Sequence, residues 1–404
     1  MVNRNFYRNI PLLALGQAMM VSAMSLVIST AALVGYRLAP DKSYATLPVA
    51  ASLIATMLTS IPAALLMQRI GRRNGFMFAS VVALLGAGLL VYSIVHGQFW
   101  LFMLAIMSIG FFNGFGNYYR FTAADVADEE YKSRAISYVL LGGVVAAFVG
   151  PNLANLTRTW IPGAEFAGSY LTLFGFYIAS LLLQFFLKLP NQGDLLHEHA
   201  EGNARPLSQI IRQPKFIVAI ISGMLGYGIM SFVMTATPLA MQHRHFPFSD
   251  TAFVIQWHIL GMFLPSFFTG NLINRFGLKK VMLLGTIIGL GCAVINLLGT
   301  TTTHFFVALL MLGISWNFLF VGATTMLTET YTPAERFKTQ AVNDFTVFTT
   351  VALSSLSAGA VQHLFGWNVV NLSVIPLYTI VLVSLLALGY RERKNKINPI
   401  PAIH

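Results

Sequence analysis

Three ionisable side chains sit where the surrounding sequence is almost wholly apolar: Arg120, Asp344 and His258. An ionisable group in hydrocarbon is costly and is retained where it faces a polar cavity or a partner. Arg120 follows Asn113 and Asn117 at spacings i, i+4 and i+7, so the three share one helical face, flanked by Tyr118 and Tyr119. A fixed cation beside two amides suits an anionic or strongly polar group on a bound molecule. Arg120 could equally serve a gate ion pair or snorkel toward the nearby span end. Asp344 could carry a proton, pair with Arg120 to close a gate, or meet the arginines of the Arg69–Arg73 loop. Histidine changes charge in the physiological range, so His258, beside Gln256 and Trp257, is a candidate proton relay or a simply hydrogen-bonded core residue. Asp125 and Glu329, near the ends of their runs, are expected to pair with loop arginines. Gln17, Met24, Tyr227 and Ser231 suit either ordinary packing or a pocket for a planar or amphipathic compound, since methionine and aromatic side chains adapt to varied shapes.

No nucleophile–base arrangement, metal motif or phosphate loop accompanies these residues, which argues against an enzyme, a metal site, a bound cofactor and ATP as the energy source. The His197-Glu198-His199 cluster lacks HExxH spacing and reads as part of a solvated linker.

The elements that position these groups follow from composition. Of 404 residues, 56% are hydrophobic and 10% are charged, whereas soluble domains carry roughly 25% charge. Apolar runs fall near 10–36, 44–67, 76–96, 99–124, 134–156, 167–188, 214–241, 250–273, 279–300, 304–330, 339–362 and 366–389. A helix of ~20 apolar residues crosses ~30 Å of hydrocarbon, so these predict twelve membrane-spanning helices. The alternation of a membrane barrel is absent from them. The net charge of +11 is spread over run ends rather than gathered in a nucleic-acid patch. Most of the 25 Lys and Arg residues lie on the side of the N-terminus, against Arg37, Lys42, Arg158 and Arg244 on the other. That asymmetry predicts both termini in the cytoplasm, with a bacterial inner membrane as the expected location. The single cysteine, Cys292, excludes an internal disulfide. The polar stretch 190–213 reads as a cytoplasmic linker between an N-terminal bundle, 1–189, and a C-terminal bundle, 214–404.

The halves repeat at a constant offset of 206. Met24-Ser25-Leu26-Val27 meets Met230-Ser231-Phe232-Val233, Leu33 meets Leu239, Arg69 and Gly71 meet Arg275 and Gly277, and Gly116 meets Gly322. Glu129 to Ala135 meets Glu335 to Ala341. Two repeated six-helix bundles are the architecture of alternating access around a midplane site. Arg120 and Asp344 have Met326 and Tyr138 as repeat partners, so neither charge is a demand of the fold.

The loop Ala64-Leu65-Leu66-Met67-Gln68-Arg69-Ile70-Gly71-Arg72-Arg73 resembles the GxLxDRxGRR signature of the major facilitator superfamily. The loop Gly270 to Lys280, with Asn274, Arg275, Gly277 and Lys279, resembles it again. Gln68 and Asn274 stand where the family has Asp. The resemblance implies the twelve-helix all-α fold in two pseudo-symmetric six-helix bundles, and a loop that latches the halves. Gly150-Pro151 in the fifth run resembles part of the GxxxGPxxGG motif of proton-coupled antiporters in that superfamily; read physically, it is a kink that admits a close neighbour. The expected function is therefore secondary active transport of a small molecule, driven by protons, by a monomer in the lipid bilayer without nucleic acid. The fifth-run motif and the methionines lean toward export of amphipathic compounds. Arg120 with Asn113 and Asn117 supports the alternative, uptake of an anionic or vitamin-like nutrient. A membrane sensor on the same fold is a third reading.

Overall fold

The computed structural model describes residues 4–41, 44, 47–189 and 204–397. Among the described residues the regular elements are all helical. Eleven helices are long and apolar enough to cross a membrane, and a bent pair makes a twelfth. In chain order the spans are Arg8–Ile28, Leu47–Ile70, Arg72–Val95, Phe99–Asp125, Glu129–Thr157, Ala167–Phe185 and Pro214–Met241. There follow the bent eighth, Phe253–Phe263 with Ser266–Phe276, then Leu278–Leu298, Thr302–Thr328, Pro333–Gln362 and Leu364–Lys394. The His197-Glu198-His199 cluster lies outside the described residues.

The breaks have local causes. The eighth span bends by 40° at Leu264-Pro265. Pro265 has no N–H for the preceding turn, and its ring would meet the carbonyl of Gly261. Asn317 of the tenth span serves the break: its Nδ2 donates to the Met262 carbonyl at 2.6 Å and to Ser266 Oγ at 2.7 Å. Its Oδ1 accepts from Thr269 Oγ1 at 2.7 Å. A backbone group freed in hydrocarbon needs such a partner. The eleventh and twelfth spans form one run of 62 residues, Arg336–Ile397, interrupted at Gly366 with φ 78°. At ~1.5 Å per residue an unbroken helix of that length would be about three bilayers long, so the break is what makes two spans of it.

Close helix approaches are set by small residues. The chain divides into two compact units, one of Met1–Ala204 with Thr332–Ala352, the other of Arg205–Tyr331 with Leu353–His404. The start of the eleventh span thus packs with the first unit. Within that unit, a Cβ on Gly110 of the fourth span would lie 2.1 Å from the Ser52 carbonyl oxygen of the second. Within the other unit, a Cβ on Gly313 of the tenth span would lie 2.4 Å from the His258 carbonyl oxygen of the eighth. Ser52 and His258 are repeat partners at the offset of 206, but Gly110 and Gly313 are 203 apart, so the glycine has moved by one helical turn.

In the fifth span, Gly142–Thr157 runs as one helix through Gly150-Pro151, and the interruption lies instead at Leu141, after Lys132–Leu140. Gly142 and Gly150 both press on the first span: Cβ atoms there would sit 2.2 Å from the Ala14 carbonyl oxygen and 2.6 Å from that of Ser22. The side chain of Pro151 lies outside the described residues.

Candidate functional site

The first unit holds a buried network of charges at one end of its helices. Gly71, at φ 82°, turns the chain into the third span. A Cβ there would meet nothing within 4 Å, so the backbone conformation alone calls for glycine. The turn delivers Arg72, which is buried, to Asp125 at the end of the fourth span and to Gln340 in the eleventh, each at 2.7 Å. Its guanidinium also lies over the rings of Tyr118 and Phe337. Arg336 reaches the same Asp125 oxygen at 3.4 Å. Beside this group, Arg120 donates to Asp344 Oδ1 at 2.5 Å, and Asn343 Nδ2 donates to that oxygen at 2.8 Å. Arg120 and Asp344 have only 4% and 1% of their side chains exposed, so this is a desolvated pair. Such a pair holds only where geometry and further hydrogen bonds offset the loss of water. Asp344 Oδ2 is buried without a hydrogen-bond partner among the described residues.

This geometry sorts the loop residues. Asp125 meets Arg72 of the loop, whereas Glu329 pairs with Lys215 at 2.7 Å rather than with a loop arginine. Asp344 hydrogen-bonds to Arg120 and Asn343, and Arg72 of the loop is taken by Asp125 and Gln340. Gln68 and Arg69 are exposed, and Arg73 lies over the ring of Phe185. In the second copy Gly277 has φ 93°, Asn274 and Arg275 are exposed, and Lys279 pairs with Glu392. Among the described residues, the first copy is therefore the one with a buried arginine network. Gln340 and Asn343 were not among the candidates; nothing in their type or spacing marks them.

The fourth span presents the remaining polar groups of this unit. Its helix tightens at Asn117-Tyr118, where Tyr118 N–H donates to the Phe115 carbonyl, between Phe99–Gly116 and Tyr119–Asp125. The ideal face of Asn113, Asn117 and Arg120 is thus twisted at its middle. Arg120 is committed to Asp344, while both amide atoms of the buried Asn113 lack a hydrogen-bond partner among the described residues. Tyr119 is committed as well: its hydroxyl accepts from Gln184 Nε2 at 2.7 Å, and Ser80 donates to the same amide's oxygen at 2.8 Å. Gln17 is buried and Met24 half-buried.

The second unit is aromatic at the corresponding place. Tyr227 of the seventh span stands edge-on to Trp316 and Phe320 of the tenth, with centroids 5.3 Å apart in both cases. Trp316 and Phe320 stack at 4.8 Å, and Phe263 of the eighth span meets Trp316 at 5.6 Å. Trp316 Nε1 is buried without a hydrogen-bond partner among the described residues. Trp316, Phe320 and Phe263 were not singled out in the sequence. The signal was there, since Trp316 and Phe320 occupy the repeat positions of Gly110 and Gly114. Ser231 is buried; Gln256 is exposed and stands apart from the fully buried His258. His258 Nδ1 bonds the Leu309 carbonyl at 2.8 Å, and its Nε2 has no hydrogen-bond partner among the described residues.

Comparison with known proteins gives a consistent result. The Major Facilitator Superfamily model matches residues 13–264 and 220–404. A riboflavin transporter of Brucella anthropi is 43% identical over 380 residues, covering 94% of this chain and 95% of that protein. An MFS-type transporter of Bacillus subtilis, described as uncharacterized, is 26% identical over 98% of this chain and 93% of its own length. Among solved structures, the human organic anion transporter matches with a TM-score of 0.77 at 14% identity, over 95% of this chain and 100% of that one. The Escherichia coli fucose:proton symporter matches with a TM-score of 0.73 at 16% identity, over 95% and 98%.

Proposed function

This chain belongs to the major facilitator superfamily and is an integral membrane protein; from there we propose that it carries riboflavin, or a closely similar flavin, into the cell. The observation that carries the reading is the 43% identity to a riboflavin transporter along almost the whole of both chains. It favours the vitamin-uptake alternative over export. Gly150, the core of the partial antiporter motif, is accounted for by its packing against the first span.

One feature supports a flavin. Its isoalloxazine carries a polar pyrimidine edge, and among the described residues the buried amide of Asn113, in the first unit, has no hydrogen-bond partner. Arg120 and Asp344 serve as a charge switch in this reading. Protonating Asp344 cancels its attraction for Arg120, so proton uptake and the opening of the pair are one event. Gly71, Arg72 and Asp125 hold the same end of the unit together.

The test is growth. A bacterium unable to make or import riboflavin, given this gene, should grow on low riboflavin and accumulate the labelled vitamin. Growth equal to the empty vector, with the protein present in the membrane, would overturn the reading.

A further inference from the structure

Asn113 is the most exceptional polar residue of the first unit. It is 3% exposed, and among the described residues neither Nδ2 nor Oδ1 has a hydrogen-bond partner. An amide buried in this way costs several kcal/mol in an apolar surrounding, and its repeat partner is Leu319, so the fold does not require it. Its place on the helix is defined by its neighbours. Gly110 and Gly114 press on Ser52 and Thr59 of the second span, and Gly116 faces Met20 of the first. With ~100° between successive residues, Asn113 falls in the sector flanked by the first and second spans, the same sector as Asn117. Its helix neighbours are committed elsewhere: Phe112 packs on Tyr177, and Tyr119 is held by Gln184.

A carboxamide offers one donor and one acceptor side by side. Its complement is a ring imide, an N–H beside a carbonyl. A flavin presents that pattern at the N3–H and O4 of its pyrimidine edge. We infer that Asn113 reads this imide edge, its Oδ1 accepting from N3–H and its Nδ2 donating to O4. The inference rests on the flavin reading above and makes Asn113 the residue that distinguishes flavins from flat aromatic compounds lacking the imide. A site built to pair polar groups rejects an analogue lacking them, because its own groups are then left unpaired.

The experiment measures binding of riboflavin and of N3-methylriboflavin to the purified full chain in detergent, by quenching of flavin fluorescence. The methyl group removes the donor that Asn113 would receive. Wild type should bind riboflavin about tenfold or more tightly than the methyl compound, the loss expected from breaking one or two buried hydrogen bonds. Asn113→Ala should bind riboflavin more weakly by a similar factor and lose the preference between the two ligands. Equal binding of both ligands by wild type would overturn the assignment whatever the variants do, as would an Asn113→Ala protein that keeps the preference. Should Asn113→Ala fail to give a monodisperse protein, Asn113→Leu, which introduces the repeat partner's side chain, replaces it with the same expected weakening of riboflavin. Riboflavin left unbound by wild type would instead remove the flavin reading itself, and Asn113's role with it.

Discussion

The fourth and tenth spans occupy equivalent places in the repeat, yet they are built from opposite chemistries. The fourth carries Gly110, Asn113, Gly114 and Arg120; at the same positions the tenth carries Trp316, Leu319, Phe320 and Met326. Both approach a neighbouring helix at one repeat-related carbonyl, Ser52 in one unit and His258 in the other. The helix crossing is thus common to both, while the side chains around it have diverged. Where an internal repeat is kept, it reports what the bundle needs. Where it is broken by a charge, an orphaned amide or an aromatic cluster, function is the better explanation, because packing is already satisfied by the other copy.

The largest effect expected from breaking this comparison is at Arg120. Arg120→Met, the residue of the tenth span, strands Asp344 in an apolar site and should cost about 3–5 kcal/mol, read as a fall in the unfolding midpoint in detergent. Adding Asp344→Asn should recover most of that loss. A single variant as stable as wild type would mean that the pair contributes nothing to this unit. Next come the crossing glycines. Gly110→Ala and Gly313→Ala each drive a methyl into a backbone oxygen and should cost about 1–3 kcal/mol, with similar losses in the two units. A large loss at one and none at the other would show that only one crossing is tight. Smaller again are Gly71→Ala and Gly277→Ala. Each places a side chain at φ 82° or 93° in open space, and about 1–2 kcal/mol of backbone strain is the whole cost.

The architecture was legible because its signals are long or rare. A run of apolar residues announces a span, and the two glycine-centred loops announce a repeated turn. Arg120 and Asp344 stood out because charges within such runs are few. Their partnership was one of several open possibilities, since helical spacing ranks faces but cannot measure distance between helices. Gln340, Asn343 and Asn317 escaped because an amide in an apolar run is unremarkable until its partner is known. Asn317 matters only because the helix breaks beside it at Leu264-Pro265. The break at Leu141 escaped for a related reason, since no proline or glycine residue in the preceding turn marks it, while Gly150-Pro151 drew attention to a stretch that continues as helix. Trp316 and Phe320 were hidden by composition, as aromatic residues are ordinary in these spans, and only their exchange for two glycines sets them apart.

The most direct measurement is riboflavin flux into proteoliposomes holding the purified protein, with and without an inward proton gradient, for wild type and Asp344→Asn. Wild type should concentrate riboflavin only when the gradient is imposed, and Asp344→Asn should still exchange labelled for unlabelled riboflavin while losing gradient-driven accumulation. Riboflavin entry no faster than in protein-free vesicles would contradict the transport reading. Full accumulation by Asp344→Asn would contradict the role given to the buried pair.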